Sequence, residues 1–421
     1  MSAPKLQGAS ILALAEDVLE QAKAITKYYQ SNNLAAPTFA VDSSAPPTTP
    51  EYQVLQSSLK TTIEDLQRLV EGPRKYLRSL AAQTYDLTCF QIALDFGFFT
   101  IVPATGAISL KDVAEKANLD LDRTSRVIRM LITFRFFEEV TPGFVSHSSS
   151  SIVLLEDEEL RATVHYTLDE LLKAAAESNV SLKARPFEAD NCHCPFVSRH
   201  GLPSFEWYAA NSSYANRFAK AMAGATRMDR HINELRDCFP WGSLQGTVVD
   251  IGGGSGHISI TLARIFPHLK FVVQDQSEML VEGQKLLTDD IRDRVSFQQH
   301  SIFEPQPFKG AAAFLIRQCT HNWCDRDVVT MFKCVVPGLE NSKPDTPLLI
   351  NDIVMPEPGT WPRLAEREVR QIDIIMVVGF GAKQRTRAEF EVLLKEADPR
   401  YEVRNVHATG PLGLLEVYLK Q

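Results

Sequence analysis

The stretch that most constrains this chain is Val248-Val249-Asp250-Ile251-Gly252-Gly253-Gly254-Ser255-Gly256-His257. Its apolar start predicts a buried strand, its four glycines a sharp reversal, and Ile258–Phe266 a helix. Glycine is needed where the chain turns tightly and a ligand must approach the backbone without a Cβ in the way. The helix that follows aims its free N–H groups at whatever sits above the turn. Dinucleotides and S-adenosylmethionine both use such a loop. Counted from Gly252 and Gly254, the dinucleotide spacing G-x-G-x-x-G requires glycine at 257, where His257 stands. Asp275 closes the next apolar run, Phe271-Val272-Val273-Gln274, and a carboxylate there can accept both hydroxyls of a ribose. That acid suits either ligand, so it indicates a nucleoside without choosing one.

A length of 421 residues predicts two or three domains, and 44% hydrophobic residues is ample for their cores. The net charge of −8 argues against nucleic acid or an anionic membrane as the main partner. The sequence holds no 18-residue apolar run, and its first residues lack a basic-then-apolar signal pattern, so a soluble cytoplasmic protein is expected. Seven cysteines lie scattered at 89, 192, 194, 238, 319, 324 and 334, which fits reduced thiols better than a disulfide framework. Cys192-His193-Cys194 has no second ligand pair at zinc-like spacing, so no metal is expected.

Along the chain, residues 9–30 predict an amphipathic helix with Ile11, Leu12, Leu14, Ala15, Val18, Leu19 and Ala22 as its apolar stripe. The proline-rich segment 33–50 reads as an irregular linker. Helices are predicted over 52–71 and 74–98, the second ending in the very apolar Ile92–Phe99. Helices this apolar need a partner surface, and a second copy of the chain is the simplest, so a homodimer is expected. Residues 108–155 carry a winged-helix pattern: a short helix from Ser109, a second one capped by Asp122-Arg123-Thr124, then strands around Thr141-Pro142. The arginines of the second helix are flanked by Asp120, Asp122, Glu138 and Glu139, which favours a packing module over a DNA-binding one. Residues 158–240 read as helical. From 246 onward, strands at 246–252, 269–275, 294–299, 312–318 and 346–354 alternate with helices and predict a doubly wound parallel sheet. The last two runs, 402–408 and 413–419, are joined by Thr409-Gly410-Pro411-Leu412, too short for a crossover, and predict an antiparallel hairpin.

The chemistry gathers on one edge of that sheet. Ligands of open parallel sheets bind beyond the carboxyl ends of the strands. His321 follows the fourth strand, and Asp352 lies near the end of the fifth, which puts both on that edge. An imidazole titrates near neutrality and can take a proton from a phenol or enol. A carboxylate bonded to its other nitrogen fixes the tautomer and stabilises the imidazolium.

Together these segments resemble the class I plant- and fungal-type small-molecule O-methyltransferases over about residues 75–421. The cofactor loop resembles Val-Val-Asp-Ile-Gly-Gly-Gly-Ser-Gly at 248–256, and Gln-Asp at 274–275 resembles the ribose-binding strand end. His-Asn-Trp-Cys-Asp at 321–325 is similar to the catalytic motif, and Lys383-Gln384-Arg385-Thr386 to the Lys-Glu-Arg-Thr stretch. The resemblance implies an α/β Rossmann-like methyltransferase sheet with a final antiparallel strand, preceded by a helical, winged-helix dimerisation domain. It implies four stretches: N-terminal helices and linker (1–73), winged-helix dimerisation domain (74–157), helical connection with the substrate-pocket region (158–240), and S-adenosylmethionine-binding domain (241–421). Gly252, Gly254, Asp275, Gln276, Ser301, Ile302 and Arg317 would serve the cofactor. His321 would be the base with Asp352 and Gln384 beside it, and Phe218, Met222 and Trp323 would line the acceptor site. The family usually supplies a second acid where this chain has Gln384, and an acidic adenine contact where it has Ser301. The expected reaction is methyl transfer to a phenolic or enolic hydroxyl of a secondary metabolite, a polyketide or a related compound. The alternative is a cyclase or dehydratase that holds S-adenosylmethionine without spending its methyl group.

Overall fold

The computed structural model describes residues 10–229, 232–407 and 412–420. Its contacts divide the chain into two compact units built from interleaved segments. The first takes the chain up to Leu172 together with Ser212–Ala225 and Pro358–Arg367; the second takes Lys173–Asn211, Thr226–Glu357 and Glu368–Gln421. The four stretches laid out from the sequence run through these units, and residues 158–240 contribute to both.

In the first unit, α1 (Ile11–Ser31) starts where the Ser10 hydroxyl accepts the Ala13 N–H at 3.1 Å. After the irregular linker, α2 (Pro50–Asp95) runs through both helices expected at 52–71 and 74–98, bent where Gly72 takes φ 70° and Pro73 follows. Proline has no N–H to give and its ring crowds the preceding turn, so the break falls there without separating the two pieces. Tyr28, Tyr29 and Tyr52 clamp α1 to α2, with the Tyr29 hydroxyl donating to that of Tyr52 at 3.1 Å. Of the predicted α1 stripe only Leu14 is fully buried, while Ile11, Leu12 and Leu19, with Val54, Val70, Leu77 and Tyr85 of α2, are exposed.

The winged-helix pattern is present as β1 (Ile108–Ser109), α3 (Leu110–Ala117), α4 (Leu121–Thr133), β2 (Phe137–Thr141) and β3 (Phe144–His147). The two-residue β1 makes the wing three-stranded, in the order β1-β3-β2. The cap of α4 is Asp120, whose carboxylate accepts the Arg123 N–H at 2.9 Å. Asp122, expected to cap, sits instead in the first turn and pairs with Arg126 at 3.6 Å. Arg129 is held by both oxygens of Glu139 at 3.1 and 2.9 Å. Two of the arginines of this helix are thus paired with acids. Phe98, Phe99, Val113, Ile128, Leu131, Phe137 and Val145 fill the core.

The second unit is built on a seven-stranded sheet: β4 (Gly246–Ile251), β5 (Leu269–Asp275), β6 (Val295–Gln299), β7 (Ala313–Arg317), β8 (Leu348–Ile353), β9 (Tyr401–His407) and β10 (Leu412–Leu419). Their order is β6-β5-β4-β7-β8-β10-β9, with β10 antiparallel to both neighbours and the five strands from β6 to β8 parallel. The hairpin is thus present; the link predicted to join it lies outside the described residues up to Leu412. Strands buried on both faces read as continuous apolar runs. Side chains alternate accordingly: Val249, Ile251, Phe314, Ile316, Leu348 and Ile350 enter one core, Val248, Ala313, Leu315 and Leu349 the other. By the same two-residue period, Asp352 continues the Leu348, Ile350 row, and Asp250 continues the opposite face after Val248. Val328, Phe332 and Val335 of α5 (Asp325–Glu340), with Phe390 and Leu394 of the Arg387–Ala397 helix, cover the first face.

Candidate active site

Chain order reverses between β4 and β7, the adjacent strands at the sheet's switch point, where open α/β sheets take their ligands. Register aligns Ile251 with Gln274 on one side and with Ile316 on the other. Gly252, Asp275 and Arg317, the next residues of the three strands, therefore share one level on the carboxyl edge.

The turn after β4 is held from beneath. Gly252 and Gly253 both donate their N–H to the Gln274 carbonyl, at 2.8 and 3.2 Å. Gly252, Gly254 and Gly256 have φ of 69°, 60° and 73°, the left-handed region that favours glycine. A Cβ on Gly252 would lie 3.1 Å from the Cys319 sulfur and 3.7 Å from Ile302, so the turn, the end of β7 and the loop after β6 meet there. Buried Asp250 accepts the Ser259 hydroxyl at 2.6 Å, and burial pushes its carboxyl up to about 6. Burial, with Asp352 and Asp275 nearby, also pushes the Cys319 thiol up, which keeps it protonated and inert.

Asp275 accepts the Gly254 N–H at 2.8 Å on one oxygen and the Gln276 N–H at 2.7 Å on the other. A carboxylate offers about four acceptor directions, so each oxygen keeps one for a hydroxyl of a ribose diol. The Gln274 amide is spent elsewhere, in a reciprocal pair with Gln306 at 2.9 and 2.8 Å. Ser301 accepts the Phe303 N–H at 3.2 Å, and Arg317 donates to Asn351. The acceptor-only acid beside a Cβ-free turn fits the nucleoside of S-adenosylmethionine.

His321 lies in a single 3-10 turn, Thr320–Asn322, just past β7. It is 8% exposed, and its Nδ1 lies 2.5 Å from a carboxylate oxygen of Asp352, itself 1% exposed. The second Asp352 oxygen accepts the Thr320 hydroxyl, also at 2.5 Å. Burial alone would raise the Asp352 carboxyl; His321, Thr320 and Arg385 outweigh it and hold it below the usual carboxylate value. Because an ionised carboxylate only accepts, Nδ1 carries a proton, and the lone pair of a neutral ring would lie on Nε2.

The structure thus brings Gly252, Gly254, Asp275, Gln276 and Ile302 together around the turn, and pairs His321 with Asp352. Trp323 packs edge-on against Phe303, with ring centroids 4.7 Å apart. Gln384 is 4% exposed, and among the described residues neither end of its side-chain amide has a hydrogen-bond partner. Phe218 stacks edge-on against Tyr166 within the first unit, and half-buried Met222 lies one turn further along the same helix. Two participants were missed. Ser259 supports Asp250 from the following helix, where nothing local marks it as the partner of a strand acid. Arg385 stood inside a quoted motif, yet nothing local shows that its side chain runs to the His321 turn. Among the described residues no group of three or more side chains is arranged to hold a metal, and no helix is long and apolar enough to cross a membrane.

Residues 181–399 match the family described as O-methyltransferase domain. The chain is 53% identical to O-methyltransferase sol2 of Alternaria solani over 417 residues, 99% of this chain and 97% of that one. It is 29% identical to chlorophenol O-methyltransferase of Trichoderma longibrachiatum, over 94% of this chain and 87% of that one. A solved structure described as a pericyclic reaction enzyme shares the fold at a TM-score of 0.74 and 18% identity, covering 97% of this chain and 100% of that one. The fold therefore does not by itself decide whether a methyl group leaves. The family match and the full-length similarity do place the protein: the chain belongs to the O-methyltransferase family, with S-adenosylmethionine as its cofactor.

Proposed function

We propose that His321 is the general base that takes the proton of a phenolic or enolic hydroxyl of a small secondary metabolite, a polyketide or related aromatic, as that oxygen is methylated. The observation that carries this reading is the buried 2.5 Å pairing of His321 Nδ1 with Asp352 beyond the carboxyl edge of the sheet. Asp352 fixes which nitrogen is free and stabilises the charge His321 gains. When bound, the cofactor supplies a methyl group already activated on a sulfonium, so the chain's work is positioning and water exclusion. Asp275 accepts the ribose hydroxyls, Gly252 and Gly254 admit the ligand to the backbone, and Gln276, Ser301, Ile302 and Arg317 border it. Trp323 supplies an apolar contact to the acceptor. Gln384, with both ends of a buried amide unspent, hydrogen-bonds the acceptor beside His321 without adding charge.

The exposed apolar residues of α1 and α2 support a homodimer through the first unit, in a cytoplasmic protein. Sedimentation equilibrium of the whole chain tests it; a monomer at micromolar concentration refutes it.

Chlorinated phenols are the first acceptors to assay, given the chlorophenol-methylating relative. With a phenol that is turned over, His321→Ala is expected to lower kcat by about 100-fold or more while S-adenosylhomocysteine binding is retained. Near-normal turnover would remove His321 from the chemistry. The uncharged Gln384 is compatible with the cyclase or dehydratase reading, while the intact His321-Asn322-Trp323 run leans against it. Product formed without stoichiometric S-adenosylhomocysteine would replace transfer with that reading.

A further inference from the structure

Arg385 is the largest charged side chain sealed in the second unit: the residue is 1% exposed and its side chain 0%. Its guanidinium is spent mainly on the turn that carries His321. Nη1 donates to the Thr320 carbonyl at 3.0 Å, and Nη2 to the Trp323 carbonyl at 2.8 Å. Nε and Nη2 also reach one Asp325 oxygen, at 2.9 and 2.8 Å. One rigid, planar group therefore bonds the peptides on both sides of His321, and Thr320, whose carbonyl it holds, donates its hydroxyl to Asp352.

A simple ion pair would not require this. Asp325, the counterion, is 45% exposed and already shared with Lys383 at 3.0 Å, so surface charges could neutralise each other without a buried arginine. The fork geometry of guanidinium is what serves two carbonyls and a carboxylate at once; an ammonium of the same charge cannot span all three. Arg385 itself is anchored, because the Met355 N–H donates to its carbonyl at 2.9 Å, just beyond the strand that carries Asp352.

We infer that Arg385 is a positioning residue: by bracketing the Thr320–Trp323 turn it sets the direction of the His321 imidazole against Asp352. This rests on the reading of His321 as the base. A displacement of about 1 Å at a reacting group can cost about 100-fold in rate, so loss of the bracket should appear in kcat and not in cofactor affinity.

The test compares Arg385→Lys, Arg385→Ala and, as a control within the same ion-pair network, Lys383→Met. Lys383 bonds Asp325 and Glu389 but not the turn. Arg385→Lys should lower kcat by about 10- to 100-fold with S-adenosylhomocysteine affinity unchanged by calorimetry, and Lys383→Met should leave kcat unchanged. Guanidinium at tens of millimolar should restore part of the rate to Arg385→Ala, and methylammonium should not. Amide hydrogen exchange over residues 318–326 should quicken in both Arg385 variants, a readout that needs no acceptor. If that exchange is unchanged, or if Lys383→Met loses as much kcat as Arg385→Lys, the inference is overturned. Insolubility of both Arg385 variants would assign the residue to folding and overturn it as well. Quickened exchange in both Arg385 variants of a protein whose wild type methylates no phenol would leave the bracket standing and refute the reading of His321 alone.

Discussion

Asp250→Asn isolates the strain beneath the cofactor turn. Asp250 is 2% exposed, and its carboxyl is raised from 3.8 to about 6 chiefly by burial, which the Ser259 hydroxyl bond and Arg317 only partly offset. A raised acid favours the folded state below its unfolded value and loses that contribution as pH rises through its folded value. Here the loss runs from about pH 4 to about pH 6 and totals about 3 kcal/mol. Asparagine keeps an oxygen for Ser259 and the room beneath Gly253, and it cannot ionise. The stability of Asp250→Asn relative to wild type should therefore improve by about 1.4 kcal/mol between pH 5 and pH 7.5 and stay flat above that. Urea unfolding at constant ionic strength measures it. Ser259→Ala, which removes a hydrogen bond to the ionised form, should exaggerate the wild-type pH dependence. A difference between Asp250→Asn and wild type that does not vary with pH would mean that the carboxyl stays ionised across this range and that burial does not govern it.

Asp352→Asn should lower kcat by about 30- to 1,000-fold, because a close imidazolium–carboxylate pair is worth up to about 4 kcal/mol at an effective dielectric of about 20. Initial rates of S-adenosylhomocysteine release at saturating acceptor are the check, and an unchanged kcat would separate Asp352 from His321. Gly253→Ala should cost about 1–3 kcal/mol of stability, since its Cβ would lie 2.6 Å from the Asp250 carboxyl and 2.9 Å from Val273. Unfolding midpoints of Gly253→Ala and wild type, compared at one pH, would show it; equal midpoints would mean that Asp250 yields freely.

What the sequence shows plainly here is whatever depends on local periodicity. The strands from β4 to β8 lie within one or two residues of their predicted spans, because a run such as Phe314-Leu315-Ile316 admits few structures other than a buried strand. His321 and Asp352 were legible as partners because one follows a strand and the other closes on the carboxyl end of the next, and that shared edge is a consequence of parallel topology. Arg385 was not, since its bonds to Thr320 and Trp323 span more than sixty residues and no periodicity announces them. The cap of α4 fell on Asp120 and not on Asp122 because either acid satisfies the local pattern, and only the helix register chooses between them. Interleaving of the two units was hidden for a similar reason. Ser212–Ala225 looks like an ordinary helical continuation and Pro358–Arg367 like a Pro-Gly turn running into a helix, and only long-range contacts, such as Arg367 with Glu64 at 2.6 Å, return them to the first unit.

The place of β10 has a consequence for synthesis. It follows every other strand of the sheet in the sequence, yet it is inserted between β8 and β9. Until residues 412–419 leave the ribosome, β8 has a naked edge, and Asp352 lacks its ladder partner Gly413 across that edge. A nascent chain can therefore assemble the glycine turn and Asp275 early while the strand carrying its candidate catalytic carboxylate stays open to misassociation. Completion of the active centre waits on a strand translated after every other strand of its sheet.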